Sequence, residues 1–340
     1  MANVKAYSGK QFSFLIAMQD DMGTLNPNSG GSPDNPWLAV DVDSVGTPSL
    51  NLNQVIEPRS GSRVLQATDF FQDNKNKVIE ISVSGTATTE VLDMLLGNIT
   101  QGDTVPYGIA SSGDVSSFTS GTENQTANQI LSIMYKTPAT GHGMSFKDCF
   151  CSSLSLTGDA GTEGGRIKFS ATFKTGSLPT LNQSDIGIDT AISSATNKNY
   201  FMSDWVSAQR VLAGITGVLV NNFTLNIEND VIFSGLTTTG FEHMARVSEV
   251  IATADFNVKY DDLTDVLIEN FHDQSSGASE GALLMGTDGT PSDGEFEFKF
   301  ANSIITNAAL SEGDVMALDV SVKAVGAGTG SSDLLFEIAC

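Results

Sequence analysis

The residue types that most often carry chemistry are few in this chain and lie far apart. It contains three cysteines and three histidines in 340 residues. Cys149 and Cys151 are separated by one residue, a spacing that places both on one face of a strand but suits a mutual disulfide poorly. No companion Cys or His stands at a spacing that would complete a zinc site. We therefore interpret both cysteines as small, buried apolar residues.

The remaining candidates for chemistry do not form a recognisable site. The histidines stand in unlike contexts with no ligand spacing between any two of them, at His142, His243 and His272. Asp41 and Asp43 are spaced like the first ligands of a calcium loop, but the twelfth position is Leu52, which cannot chelate a cation. The sequence has no Walker-type or nucleophile-elbow motif. We expect no catalytic residue, no cofactor and no metal, and hence no enzyme.

The charge of the chain argues against specific binding to nucleic acid. Acidic residues number 40 and basic residues 17, which gives a formal net charge of −23. Such a surface repels phosphates and anionic membranes, and no Lys/Arg cluster is present to neutralise them. An acidic excess also suits a protein that lets DNA pass without holding it. The simpler interpretation is that the charge keeps an abundant protein soluble.

The sequence contains no evident membrane span or secretory leader. Its apolar runs are far shorter than the ~20 residues that a membrane helix needs. Residues 1–21 lack a charged region followed by a long apolar core and a small-residue cleavage site. We therefore expect a protein made in a cytoplasm, without a membrane partner.

The elements that position the side chains are best predicted from a block that occurs twice. Residues 78–99 and 250–271 align without a gap, 172 residues apart. Each copy has an alternating strand, a polar break and a short amphipathic helix. Because a repeat of this length indicates a duplicated domain, we predict two domains, residues 1–195 and 196–340.

The helices of the two copies have caps and apolar stripes that can be read from the sequence. In the first copy Thr88 or Thr89 caps the helix, and Gly97-Asn98 ends it. In the second copy Asp261 or Asp262 is the cap. The predicted stripes are Val91, Leu92, Leu95 and Leu96 in the first helix, and Leu263, Val266, Leu267 and Phe271 in the second.

The rest of the chain predicts strands separated by polar segments. Alternation is strong at residues 167–174 and 318–323, and again in EFEFKF at residues 295–300. Residues 100–143 are rich in Gly, Ser, Thr and Asn and predict one long loop, while residues 176–204 predict a linker. The predicted fold class is mainly β, with two tandem β-sandwich or barrel-like domains that each carry a short flanking α-helix.

Four segments together resemble the major tail tube protein of long-tailed siphophages. They are FLIAMQDDMGTLN near the start, VLVNNFTLNIENDVIFSG, the strand–helix block VIATADFNVKYDDLTDVLIENF, and FANSIITNAALSEGDVMALDVSVKAVG near the end. The segments are spread over most of the chain. None of them is a sharp motif, and the resemblance depends on their order and on the duplication.

The resemblance implies an assembly and a location in the virion. In this family six tube domains surround a lumen and their strands join into one β-barrel, so a two-domain chain would form homotrimeric rings with pseudo-sixfold character. Ring-to-ring contacts are expected from an N-terminal arm (1–45), a C-terminal arm (326–340) and the 100–143 loop. The implied partners are other copies of the chain, tape-measure and tail-terminator proteins, and genomic double-stranded DNA that passes through the lumen without specific binding.

The strand residues that could face such a lumen are Glu80, Ser82, Asp255 and Asn257. Acidic or neutral side chains there would let DNA slide. Two alternatives remain open. One is a single tube domain with an added decoration domain, in hexameric rings. The other is a carbohydrate-binding or adhesin β-sandwich, for which Trp37 and Trp205 would be the sugar-stacking platforms.

Overall fold

Alternation of apolar and polar residues predicts a chain built of strands, and the structure is mainly β. The computed structural model describes residues 13–19, 22–23, 37–46, 49–50, 53–57, 64, 66, 69–73, 78–100, 115–119, 130–136, 143–183, 199–237, 240–246, 249–272, 282–287, 295–311, 315–326 and 334–340.

The first half of the chain contributes strands β1 to β12 and helix α1. Its strands are β1 Ser13–Gln19, β2 Leu38–Val40, β3 Val42–Val45, β4 Ser49–Leu50, β5 Asn53–Ile56, β6 Phe70–Asp73, β7 Ile79–Thr86, β8 Val115–Thr119, β9 Ile130–Lys136, β10 Gly143–Asp159, β11 Lys168–Thr175 and β12 Thr180–Gln183. Helix α1 is Thr89–Thr100.

The second half contributes strands β13 to β23 and helix α2. Its strands are β13 Arg210–Leu212, β14 Ile215–Thr216, β15 Val220–Glu228, β16 Ile232–Leu236, β17 Phe241–Ala245, β18 Ile251–Lys259, β19 Leu283–Met285, β20 Glu297–Phe300, β21 Ser303–Ser311, β22 Ala317–Ala324 and β23 Leu334–Ala339. Helix α2 is Val266–His272, and two single 3₁₀ turns, Met202–Asp204 and Ser207–Gln209, precede β13.

One antiparallel sheet runs through both halves, and we call it the long sheet. Its strand order is β3/β4–β7–β11–β10–β15–β18–β22–β21. Strands β3 and β4 share one place in this order, because each pairs with a different end of β7. Since β10 belongs to the first half and β15 to the second, the halves meet inside a continuous sheet.

Strand β10 serves two sheets because it is long and irregular. It spans 17 residues, and its pairing shifts between Phe146 and Cys149 and again between Cys151 and Ser153. Shifts of this kind bend a strand and increase its twist. Its beginning therefore joins a first small sheet, β2–β1–β9–β10–β12, while its end joins the long sheet. The second small sheet is β14–β13–β19–β20–β23–β8.

The core lies between the apolar faces of these sheets and is continuous through both halves. Aromatic rings fill it where the second small sheet packs on the long sheet. Phe298 stacks on Phe223 and Phe256, with centroids 5.5 and 6.3 Å apart. Trp205 lies 5.1 Å from Phe223. The prediction that the three phenylalanines of EFEFKF share a buried face is confirmed, since Phe296, Phe298 and Phe300 are all buried.

Helix α1 agrees with its predicted stripe but not with its predicted end. All four stripe residues are buried. The helix continues past Gly97-Asn98 to Thr100. The reason is that Asn98 binds the neighbouring strand instead of ending the helix: its amide accepts a hydrogen bond from the Cys151 N–H and donates one to the Cys149 carbonyl, 3.3 Å away.

Helix α2 is shorter and less buried than its counterpart. The predicted cap is wrong for the helix itself, because α2 begins only at Val266 and Asp261 caps the turn before it. The Asp261 carboxylate accepts the N–H groups of Leu263 and Thr264 at 3.1 and 3.2 Å. Of the predicted stripe only Leu267 is fully buried, whereas Leu263 and Val266 are exposed. The stripe prediction is therefore wrong for those two residues as core positions.

The prediction of one long loop at residues 100–143 is wrong, and parts of both predicted arms lie in sheets, while the role of the arms in ring-to-ring contacts stays a prediction. Residues 100–143 are not one loop, because the apolar run at β9 and the segment at β8 form strands. The N-terminal region contains β1, β2 and β3 within sheets. The C-terminal region contains β23, which pairs with β20 and β8 and ends at a buried Cys340. In the predicted linker, β12 is a strand. Residues 184–198 of the predicted linker, which include the predicted domain boundary, lie outside the described residues. The division into two domains therefore stays a prediction.

Candidate assembly edges and the polar face

The strand pairing of the long sheet repeats between the two halves. The order β3–β7–β11–β10 in the first half corresponds to β15–β18–β22–β21 in the second. Even the irregularities repeat, because the first strand of each set has one extra residue at the same place. The steps are Val42↔Gly85 to Ser44↔Ser84 in the first set and Val220↔Val258 to Asn222↔Asn257 in the second. The extra residues are Asp43 and Asn221.

The last strand of each set has a second matching bulge. Ser152 is the extra residue of β10 and Thr306 is the extra residue of β21. In both sets the bulged hydroxyl donates to a main-chain carbonyl of the paired strand, Ser152 to Thr172 at 3.1 Å and Thr306 to Ser321 at 3.1 Å. A matching hydrogen bond at matching bulges is stronger evidence of repetition than the few identities in the sequence.

The repeated pairing corrects the gapless alignment of the sequence. It equates Ile79 with Ala252, an offset of 252 − 79 = 173 rather than 172. The alignment at 172 places the buried Ile81 opposite the half-buried Thr253, and the exposed Glu80 opposite the buried Ala252. Because successive strand residues alternate between faces, an error of one residue exchanges the faces of the whole strand.

The small sheets repeat the same order as well. The first is β2–β1–β9–β10–β12, and the second contains β14–β13–β19–β20–β23. By this correspondence β13 occupies the place of β1, and β20 together with β21 occupies the place of the long strand β10. The hairpin β16–β17 likewise corresponds to β5–β6. Strand β8 is an addition, since it pairs with β23 beyond the repeated order.

The junction between the halves is a strand pair with a defined register. Strand β10 pairs with β15 from Ser153↔Glu228 to Asp159↔Asn222. The last strand of the first set thus pairs with the first strand of the second set. In the part of the chain that the structure describes, the corresponding outer strands have no such neighbour: β21 pairs only with β22, and β3 and β4 pair only with β7.

The apolar positions beside these edges differ in the same way. Leu156 on β10 is 0% exposed, whereas Leu310, its counterpart on β21, is 50% exposed. Ile167, just before β11, is 0% exposed, whereas its counterpart Met316, just before β22, is 56% exposed. Fully burying a side chain of this size stabilises by about 1.5–3 kcal/mol. The second set therefore has an uncovered apolar surface where the first set has a buried one.

Polar contacts also hold the second half on the first. The Arg246 guanidinium donates to the Asn98 carbonyl at 2.8 Å and to the Asn229 carbonyl. Asn229 in turn donates to the Ile99 carbonyl at 2.7 Å. Cations and donors near the last turn of a helix satisfy carbonyls that have no partner within the helix. Arg246 and Asn229 therefore fasten the end of α1 to the second half.

Burial changes the ionisation of the groups around this contact. It lowers the pKa of the Arg246 guanidinium to about 10, so the group remains charged at neutral pH. It raises the pKa of the Cys151 thiol to about 12 and raises that of Cys149 as well. All three cysteines are buried as thiols rather than disulfides. The interpretation of Cys149 and Cys151 as small buried residues agrees with this placement.

The four strand residues that sequence reasoning singled out lie on one face of the long sheet, which we call the polar face. Glu80, Ser82 and Asp255 are exposed and Asn257 is half-buried. Cross-strand pairs connect them through the sheet, in rows such as Ser82↔Thr172, Thr172↔Ser153 and Ser153↔Glu228. Asn257 accepts from Asn221 at 2.8 Å and donates to Asp319 at 2.6 Å. The face is dominated by hydroxyl and amide groups.

The polar face, like the chain as a whole, carries more carboxylates than lysines. Its lysines in the described strands each lie within 4 Å of a carboxylate. The pairs are Lys168–Asp43 at 3.5 Å, Lys174–Asp230 at 2.7 Å, Lys259–Asp261 at 3.4 Å and Lys323–Glu249 at 3.7 Å. The side chains Asp159, Glu228, Asp255 and Asp319 add negative charge. A face of this kind has no unpaired cluster of cations with which to hold phosphates.

The other candidate residues are not brought together. Among the described residues no group of three or more His, Cys, Asp and Glu side chains could hold a metal ion. His243 lies on β17 and His272 at the end of α2, whereas His142 lies outside the described residues. Of the candidate sugar platforms, Trp37 and Trp205 are both buried, so neither offers a stacking surface. No helix in the described ranges is long and apolar enough to cross a membrane.

Comparison with known proteins gives no family. The sequence matches no protein-family model, and no curated protein matches it significantly.

Sequence reasoning found the polar face but missed the edges. The alternation of β7 and β18 was sufficient to identify residues that face away from the core. Nothing in the sequence pattern marks β10 and β15 as partners or β21 as an outer strand, because pairing is set by contacts between distant parts of the chain. The one available signal was Leu310 followed by Val315 and Met316, an apolar group around an acidic turn.

Proposed function

We propose that this chain is a structural subunit of a long-tailed bacteriophage tail tube, with two tandem tube domains. It polymerises as stacked rings of three subunits with pseudo-sixfold character around a channel for DNA. It is a component of the virion, is made in the host cytoplasm, and has no enzymatic role. Its further partners are tape-measure and tail-terminator proteins, and genomic double-stranded DNA passes its lumen transiently.

The observation that carries the proposal is the repeated long sheet. Its two sets of strands are joined inside the chain, whereas the corresponding outer strands, β21 and β3/β4, have no partner of this kind among the described residues. The β10–β15 pair joins the last strand of the first set to the first strand of the second. Repeating this step joins β21 of one subunit to β3/β4 of the next. Such a head-to-tail contact uses two different surfaces, and it produces a ring when the rotation closes and a helical filament when it does not. Closure leaves no edge strand exposed.

The internal junction also supplies the register of the proposed contact. Ser155 pairs with Ser170 and Ala309 pairs with Asp319, which makes Ala309 the counterpart of Ser155. By the same reasoning Ser49, which pairs with Glu80, is the counterpart of Asn226. Because Ser155 pairs with Asn226 inside the chain, Ala309 lies opposite Ser49 of the next subunit.

The polar face supports a role in passage rather than in binding. If the repeated sheet closes with its polar face inward, Glu80, Ser82, Asp255 and Asn257 line the lumen. Hydroxyl and amide groups and paired lysines present no net positive surface to the phosphates, so DNA slides without being held. A barrel of many strands leaves an open channel of this kind. The repetition also favours tandem tube domains over a single tube domain with a decoration domain.

Electron microscopy of the purified protein in negative stain tests the proposal. We expect long tubes with a stain-filled channel, either spontaneously or when tail-initiating partners are added. Image classes should show six similar densities around the bore and a threefold exterior. Protein that remains monomeric at high concentration with those partners present would contradict the proposal, and sixfold rings with one tube domain per subunit would favour the decoration alternative.

A further inference from the structure

We propose that the chain segment before β1, residues 1–12, of a second copy docks on the uncovered apolar patch at the end of β21 and β22. The patch consists of Leu263, Val266, Leu310, Val315 and Met316, all exposed. The proposal rests on the head-to-tail assembly described above, and it adds a second contact to the strand pairing between neighbouring copies.

The patch residues lie on neighbouring elements, since β21 pairs with β22 and α2 packs beside β21. Leu310 pairs with Leu318 across the β21–β22 hairpin, and Met316 lies two positions before Leu318 on the same face. Diagonal neighbours of this kind are about 7–8 Å apart, within reach of long side chains. The Tyr260 N–H donates to the Met316 carbonyl at 3.3 Å, which brings the turn before α2 alongside. Apolar patches that lie at a sheet end are typical of contact surfaces.

In the first half, the position that corresponds to the patch is covered by another segment of the same chain. The Ile167 N–H, at the position of Met316, donates to the Tyr200 carbonyl at 2.9 Å. The Met202 N–H donates to the Gly165 carbonyl at 2.8 Å. Arg166 and Phe201 form an isolated β-bridge. The cover is therefore a short extended segment, residues 199–202, held by main-chain hydrogen bonds.

The Met202 side chain completes this cover. A Cβ at Gly158 would lie 2.8 Å from the Met202 sulfur, and a Cβ at Gly165 would lie 2.8 Å from the Met202 Cβ. The two glycines thus admit a methionine directly against the end of β10 and its turn. The same end of the second half has its apolar side chains uncovered in the structure.

The position of the covering segment in the repeat identifies its counterpart. Residues 199–202 come shortly before β13, which occupies the place of β1. The counterpart is therefore the segment before β1. The strand pairing makes Arg210, at the start of β13, the counterpart of Phe14 in β1. Tyr200 precedes Arg210 by as many residues as Val4 precedes Phe14, so Val4 is the counterpart of Tyr200. Residues 1–12 lie outside the described residues.

Charge complementarity supports the same occupant. Residues 1–12 contain Lys5 and Lys10 and no acidic residue, in a chain whose net charge is −23. The patch is rimmed by exposed acidic side chains, Asp262, Asp265 and Glu269. A basic, partly apolar segment bound across an apolar patch with an acidic rim satisfies both kinds of surface.

A photo-crosslinker placed at position 316 tests the proposal in assembled protein. Assembly from a mixture of isotope-labelled and unlabelled chains allows mass spectrometry to separate crosslinks within a chain from crosslinks between chains. We expect crosslinks between chains that map to residues 1–12, and their loss when residues 1–12 are deleted. The matched control is a crosslinker at Ile232, an exposed apolar residue away from the patch, which should not capture this segment.

The outcomes separate this inference from the proposed assembly. Crosslinks from position 316 to any other segment, or only within one chain, would overturn the docking proposal. So would an unchanged crosslink pattern after the deletion. A disulfide between Ser49→Cys and Ala309→Cys of neighbouring chains reports the strand pairing independently. If this disulfide forms while residues 1–12 are never captured, the assembly stands and the docking inference fails; if neither forms, both fail.

Discussion

Leu156 and Leu310 occupy the same place in two copies of one sheet, yet one is buried and the other half-exposed. The difference does not come from the strands themselves, whose bulges and pairings correspond residue for residue. It comes from what lies beside them. Leu156 is next to β15, whereas Leu310 is at an outer edge. The comparison shows that the edge of the first set has a neighbouring strand inside the chain and that the corresponding edge of the second set, among the described residues, has none.

The largest expected effect follows from truncating the two leucines. Leu156→Ala should lower the free energy of unfolding of the unassembled protein by about 2–5 kcal/mol, because it leaves a cavity in the core. Leu310→Ala should cost the same protein far less, since half of the side chain is already exposed. Denaturant unfolding measures both changes. Similar costs at the two positions would mean that Leu310 is covered in the unassembled chain, against the comparison.

Leu310→Ala has a second readout that Leu156→Ala lacks. With its fold preserved, which circular dichroism checks, Leu310→Ala should raise the protein concentration needed for assembly, as sedimentation measures. Unaltered assembly would contradict a role for this edge.

The contact of Arg246 with α1 is expected to come next in size. Arg246→Ala removes the donor to the Asn98 and Asn229 carbonyls and leaves them unsatisfied in a buried place. We expect a loss of about 1–3 kcal/mol in the free energy of unfolding. Arg246→Lys is the matched control, because it keeps the positive charge but lacks the planar guanidinium that donates to both carbonyls. It should therefore recover only part of the stability that Arg246→Ala loses. Full stability of Arg246→Ala would show that the halves are joined by the sheet alone.

The smallest expected effect distinguishes two matched lysines. Lys174 lies 2.7 Å from Asp230 of the second half, whereas the carboxylate that pairs with its counterpart Lys323 among the described residues is the exposed Glu249, at 3.7 Å. Such pairs contribute about 0–1 kcal/mol. Lys174→Ala should therefore destabilise slightly more than Lys323→Ala, as paired denaturation curves would show. Equal effects would mean that the junction pair contributes nothing.

The Lys174–Asp230 pair also predicts a pH dependence. Partial burial raises the pKa of the Asp230 carboxyl, but the hydrogen bonds from Lys174 and the Val231 N–H, together with the charges of Lys174 and Arg246, outweigh it and lower this pKa below its ordinary value. A lowered pKa gives stability that is present above the unfolded value and is lost as the pH falls through the folded value. The difference between wild type and Asp230→Asn should shrink below about pH 4. A difference that grows in acid would have the wrong sign.

Local pattern predicted much of the fold. The alternation of β7 and β18, the stripe of α1 and the phenylalanines of β20 were evident because each depends on residues close in sequence. The end of α1 could not be predicted, since Asn98 continues the helix through hydrogen bonds to β10, far along the chain. The exposure of Leu263 and Val266 was missed for the same reason: a helical stripe does not reveal whether a partner covers it.

Of the candidate surfaces, the polar face was predictable from the sequence and the assembly edges were not. The residues of the polar face could be chosen from the sequence because strand faces alternate. The register between the two copies could not be predicted. The gapless alignment was wrong by one residue, so it paired the buried Ile81 with the half-buried Thr253 and thereby exchanged the faces of the second strand. Only the bulges at Asp43 and Asn221, seen in the pairing, correct it.

The most direct test of head-to-tail assembly is a disulfide between Ser49→Cys on one chain and Ala309→Cys on another, formed on mild oxidation. The native cysteines are buried, and cysteines at directly opposed strand positions are within bonding reach. We predict a disulfide-linked dimer from the mixed variants, and closed trimers from the double variant. The control pairs Ala309→Cys with Leu50→Cys, one residue out of register and on the opposite face, and should not crosslink. No crosslink in the predicted register, or an equal yield from the control pair, would contradict the assembly.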